Sequence, residues 1–181
     1  PGGDLNKIMT TGIMDFQTDH TLTGRALREK EVFEMVHIAH EEGFLVMSHT
    51  NGARACEIAA ACGADSLEHG NFQDEQSLRV LAECGTLWVP TVVTVKNLIG
   101  CGRYPDRILE RIWERTGKML KAARALGVSL ALGSDAGACM VGHGSGLLDE
   151  FRAFQEVFPE DKTLISELER GQRKLECFVR Q

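Results

Sequence analysis

The sequence is short of several things, and each shortage excludes a class. No apolar run approaches the ~20 residues that span a bilayer, so a membrane role is not expected. No signal peptide is visible, although Pro1 is not a natural start and leaves room for an upstream targeting segment. The six cysteines at 56, 62, 84, 101, 139 and 177 contain no CxxC pair. They read as reduced thiols of a cytoplasmic protein, most of them small core residues. Basic residues are outnumbered 26 to 20 and the net charge is −6, so the electrostatic footprint of a nucleic-acid binder is missing. No low-complexity linker divides the chain. Its 181 residues, 43% hydrophobic and 25% charged, suit one globular unit with a substantial core.

What is present is a repeated unit. In GFLVMSHTNGARACEIAAACGADSLEHG (43–70), a helical run ends in Gly, a short apolar run follows, and a histidine stands six residues after the Gly. Gly43 leads to His49 and Gly63 to His69. Gly suits the left-handed turn just past a helix, and the apolar runs read as buried strands. The unit recurs from Gly85 to Pro90-Thr91 and from Gly127 to Gly133-Ser134-Asp135, with the glycines 20, 22 and 42 residues apart. A helix-then-strand unit of this period predicts a parallel sheet with helices outside it. Functional groups in such sheets stand at the carboxyl ends of the strands.

In chain order, the pattern predicts strands over 4–9, 44–48, 64–68, 86–90 and 128–133. It predicts helices over 28–42, 52–62, 75–84, 105–126 and 147–158, with one more in the tail 160–181. The first helix should bury Val32, Phe33, Val36 and Ala39 on one face. Asn51 is placed to cap the second. Ile108, Ile112, Met119, Ala123 and Leu126 line up on the long helix. Leu147, Phe151, Phe154 and Phe158 do so on the next, and Leu164, Leu168, Leu175 and Phe178 in the tail. Residues 13–27 form a loop long enough to suggest an active-site role, 91–104 a second loop, and 134–146 a glycine-rich one.

His49, His69 and Asp135 would then share one rim. Neutral imidazole and carboxylate are ligands of zinc and related divalent ions, so three such residues at repeated rim positions point to a metal site. A lone strand-end histidine is more often structural; it is the repetition that favours ligation. His20, His37 and His40 read as loop or helix-surface residues.

SHTNGARACEIAAACGADSLEHGNFQDEQ, then WVPT, then GSDAG, resembles the later part of a metal-dependent amidohydrolase, in the imidazolonepropionase-like and Xaa-Pro or Xaa-Arg dipeptidase-like branch. The resemblance covers about residues 2–158. It implies an α/β fold that is part of a (β/α)8 TIM-type barrel, about its fourth to eighth strands, over 1–158, with 159–181 as a divergent helical tail. It implies a hydrolase of C–N bonds in a small-molecule or dipeptide substrate, working through one or two divalent metal ions, zinc foremost. His49 and His69 match the fifth- and sixth-strand metal histidines. Asp135 matches the eighth-strand aspartate, which binds metal and takes a proton in catalysis. Lys7 matches the fourth-strand lysine that many members carbamylate as a metal ligand, and His143 falls where members contact substrate. The departures are equally plain. The sequence holds no HxH pair, and a full barrel runs to about 250 residues. The alternative expectation is therefore a truncated, non-catalytic relative. An open sheet of this kind leaves edges and an inner face to be covered, for which assembly into a homo-oligomer is one solution.

Overall fold

The computed structural model describes residues 3–179 and, within the last helix, side chains as far as Cys177. Phe178, assigned above to the tail's apolar face, therefore lies outside the described side chains, as do residues 1, 2, 180 and 181 of the two predicted segments. Strand β1 (Leu5–Met9) is followed by α1 (Glu29–Glu41), β2 (Leu45–Thr50), α2 (Ala53–Ala61), β3 (Ser66–His69), α3 (Glu75–Cys84) and β4 (Leu87–Val89). Then come α4 (Val93–Lys96), α5 (Asp106–Ala125), α6 (Ser145–Val157) and α7 (Leu164–Val179). The four strands pair in parallel, in chain order. This is the parallel sheet the repeat predicts, with strands alternating with helices, and it fits the partial barrel that the resemblance implies. Among the described residues no helix is long and apolar enough to cross a membrane.

Alternation along the strands sorts the sheet's two faces. Ile8, Val46, Leu67 and Trp88 lean into the helical layer and join its apolar clusters. The largest cluster gathers Leu67, Leu78, Leu81, Trp88, Leu120 and Phe154 from sheet, α3, α5 and α6. Lys7, His49, Glu68, Leu87 and Val89 belong to the opposite, inner face. The turns behind the strands are built as the sequence implies. Gly43, Gly63, Gly85 and Gly127 all take positive φ, and Gly85 closes α3 in the left-handed conformation. At its other end, α3 is opened by Asp74, whose carboxylate accepts the Ser77 N–H at 2.9 Å.

Several expectations are corrected. The strand expected over 128–133 is reduced to one bridge, in which Leu130 meets Trp88; only Ser129 O and the Ala131 N–H bond to it. The loop expected over 91–104 contains α4, one helical turn too short to show a period. Phe33 is 52% exposed because α1 presents Val32, Val36 and Ala39 to the sheet, and Phe33 lies off that stripe. On α5 the expected stripe does face the core, with Ile112 and Ala123 buried and Ile108, Met119 and Leu126 partly so, and Leu109 and Leu120 are buried beside it. On α6, Leu147 is exposed while Phe154 is fully buried. Asn51 does not cap α2, whose N-cap is Gly52 without a side-chain bond.

Helix α7 crosses the edge of the sheet. Leu164 and Leu168 join the cluster on the helical side, whereas Leu175 packs with Leu87, Val89 and Ala131 on the inner face. At the crossing Gly171 lies so close to Leu130 that a Cβ there would come within 1.8 Å of the Leu130 carbonyl oxygen. Arg124 of α5 ties down the approach, paired with Asp161 and Glu167 and lying over the Phe158 ring at 4.9 Å.

Candidate active site

The carboxyl ends of β1, β2 and β3 are stitched together by buried polar groups. Thr10 donates its backbone N–H to His49 O at 3.0 Å and its hydroxyl to the same oxygen at 3.1 Å. The Asn51 N–H donates to Thr11 Oγ1 at 3.0 Å, and Asn51 Oδ1 accepts from the backbone and side-chain N–H groups of Asn71 at 3.0 and 2.9 Å. Backbone groups freed where strands give way to loops are thereby satisfied inside the protein.

His49 and His69 rise from this rim. Their ring centroids are 4.5 Å apart and the rings meet edge-on at 66°. His49 Nε2 lies 3.4 Å from Gly12 O and from Asn51 Nδ2, and His69 Nδ1 lies 2.7 Å from Thr91 Oγ1. Both are buried, at 7% and 9% exposure. Burial lowers the pKa of each. His69 is pushed down to about 3 by desolvation first, with the neighbouring His49 and Lys7 adding to it. For His49 desolvation leads, Lys7 adds, and the Gly12 carbonyl and Asp135 oppose. At neutral pH both rings are therefore neutral, the form that coordinates a metal.

The two rings open into a cleft of about 290 Å³ whose lining also includes Lys7, Asp135, Asn51 and Asn71. Its remaining wall is mostly apolar and aromatic: Met9, Ile13, Met14, Phe16, Leu98, Tyr104 and Ala138, with Thr94 and Cys139 among them. The segment 13–27 supplies part of that wall. It folds as a short antiparallel hook, with Met14 bridging to Leu22, and sets Phe16 against Tyr104 at 5.1 Å. Backbone strain gathers at the same mouth. His69 at the end of β3, Thr91 just past β4 and Asp135 just past the 128–133 segment, three non-glycine residues, take φ of 67°, 48° and 54°. Such conformations persist only where the surroundings impose them, and they concentrate at functional sites.

Lys7, His49, His69 and Asp135 thus face one cleft. His143 does not: it is exposed in the loop before α6, with Nε2 near Gly137. Among the described residues, no three His, Cys, Asp or Glu side chains converge closely enough to hold one ion. The donor chemistry suits a divalent cation, as two neutral imidazoles with a carboxylate on the same cleft, but the shell is not closed. Glu68, on the inner face one residue before His69, is a further buried group. Its Oε1 accepts the Ser66 hydroxyl at 2.7 Å, Oε2 has no partner among the described residues, and burial raises its pKa to about 7. Asn71, Phe16 and Tyr104 are site residues that the sequence did not single out, and Asn51 was read only as a cap. Thr91 stands at the strand end that the repeat marked, six residues after Gly85, and Asn51 and Asn71 each stand two residues after one of the repeated histidines.

No family model matches the sequence. An uncharacterised protein of Mycobacterium tuberculosis is 30% identical over 128 residues, which are 67% of this chain and 34% of that protein. The chain thus spans about a third of the length of this curated relative. Among solved structures, a Xaa-Pro dipeptidase with methionine bound in its active site superposes with a TM-score of 0.76 at 25% identity, over 99% of this chain and 44% of the other. An amidohydrolase structure gives a TM-score of 0.69 at 25% identity, over 95% and 44%.

Proposed function

From a chain that belongs to the amidohydrolase superfamily and carries a portion of its barrel, we propose a metal-dependent hydrolase acting on the C–N bond of a small amide or dipeptide. The observation that carries the proposal is the pair of neutral, edge-on imidazoles of His49 and His69, opening into a cleft that also takes in Lys7 and Asp135. In this reading His49 and His69 hold a divalent ion, zinc foremost, with Asp135 as the anionic partner and Lys7, carbamylated or free, beside them on β1. The ion, when bound, supplies Lewis acidity toward an amide carbonyl and toward water. Asp135 stands on the cleft wall where a carboxylate can accept a proton and return it to a leaving nitrogen. Asn51 orients the His49 ring and Thr91 the His69 ring. The wall formed by Met14, Phe16, Leu98 and Tyr104 favours an apolar group beside the scissile bond and keeps bulk water from it. His143 belongs, in the same proposal, to the outer reach of the substrate path.

A second reading has its own support. The donor shell, unclosed among the described residues, favours a chain that folds around this rim but binds metal weakly and does not turn over substrate. Metal analysis of the purified chain separates the two. The hydrolase reading expects about one zinc per chain, lost in both His49→Ala and His69→Ala with circular dichroism unchanged. A folded wild-type chain that retains no metal after dialysis against zinc would leave the second reading standing.

A further inference from the structure

Helix α6 brings one carboxyl group into the core beneath the end of β4, and the proposed chemistry has no use for it. Glu150 is fully buried. Its Oε1 accepts the Val92 N–H at 3.0 Å and its Oε2 the Val93 N–H at 2.9 Å. Among the described residues no cation pairs with it. Burying an unpaired carboxyl is costly, and an apolar side chain of similar volume would pack there more cheaply. What an apolar side chain cannot do is bind two successive N–H groups at the start of α4, where they have no partner within the helix. The carboxyl thereby fixes the two peptide planes that follow Thr91. Thr91 is β-branched and left-handed, at φ 48°, a conformation it does not hold unaided. Its carbonyl accepts from the Thr94 N–H at 3.1 Å and from the Thr94 hydroxyl at 2.8 Å, which closes the turn. Its own hydroxyl lies 2.7 Å from His69 Nδ1.

We infer that Glu150 is a positioning residue for His69, acting through the turn Thr91–Val93. By holding that turn it presents the Thr91 hydroxyl to Nδ1; in this proposal the hydroxyl accepts there, so that the ring is the Nδ1–H tautomer and Nε2 is the nitrogen available for coordination. The partner of a ligand's second nitrogen sets both tautomer and ring orientation in metal sites. The role in coordination rests on the reading of His69 as a metal ligand; the role in setting the tautomer does not.

The test uses the full chain labelled with 15N-histidine, first metal-free and then titrated with Zn(II) against a chromophoric chelator. The expected wild-type spectrum shows His69 as the Nδ1–H tautomer. Thr91→Val and Glu150→Gln give a mixture of tautomers and weaken zinc binding by about 10- to 100-fold, while Thr91→Ser restores both. If Glu150→Gln fails to fold by circular dichroism, Glu150→Asp takes its place, alone and combined with Thr91→Val. Its loss of zinc affinity should disappear in the Thr91→Val background. A Glu150 variant that keeps the wild-type tautomer and zinc affinity overturns the proposal, as does a Glu150→Asp loss undiminished by Thr91→Val. A wild-type chain that binds no zinc overturns the metal reading instead, and the metal-free spectra of wild type and the Glu150 variants then decide the positioning role.

Discussion

A histidine kept neutral by burial makes stability depend on pH, and His69 is the clearest case here. Its folded pKa of about 3 lies below the ordinary 6.5, so between those values the unfolded chain binds a proton that the folded one refuses. The contribution is complete above about pH 6.5 and is lost as pH falls toward 3, amounting to roughly 2 kcal/mol by about pH 5. Glu68 and Glu150 act in the opposite sense. Burial raises them to about 7 and about 8 from an ordinary 4.5, so their contributions are full below 4.5 and are lost as pH rises through 7 and 8. The wild-type curve sums both trends, and the difference between wild type and His69→Asn isolates the histidine. Urea midpoints measured across the acid range should draw together as pH falls from 6.5. A constant difference would mean that His69 titrates normally in the folded protein.

At the scale of elements, the sequence displayed whatever repeats. The glycines at 43, 63, 85 and 127 foretold helix ends and strand starts, because a left-handed residue after a helix is a local requirement written in one letter. Two neighbouring histidines and a shared cleft followed once the strands were read as parallel. Contacts between distant segments were not legible. Asn51 looks like a cap from its neighbours, but its amide is drawn to Asn71 on the next strand-end loop. Residues 128–133 have the composition of a strand, yet α7 lies against Leu130 where further pairing would form, a placement decided by Arg124, Asp161 and Glu167 far apart in the chain. Gly171 tests that placement. In an ordinary helix interior Gly→Ala gains about 1 kcal/mol. Here the added Cβ would enter the Leu130 backbone, so Gly171→Ala should destabilise by about 1–3 kcal/mol and lower the Tm by about 2–4 °C for each kcal/mol. A raised Tm would show that α7 does not press on that edge.

Over the whole molecule, protection should follow the order of the sheet. Strand β3 lies between two partners and its residues are all buried, whereas β1, among the described residues, pairs on one side only and exposes Lys7 and Met9. Amide exchange followed by mass spectrometry should show peptides over β3 and β4 exchanging last and those over β1 well before them. Equal rates would contradict the strand order. The crossing of α7 has a wider consequence. Stacking into a fibre demands two receptive flanks per subunit, one to give and one to take. Among the described residues the flank at Leu130 is sealed by a helix, so this body withholds one of the two.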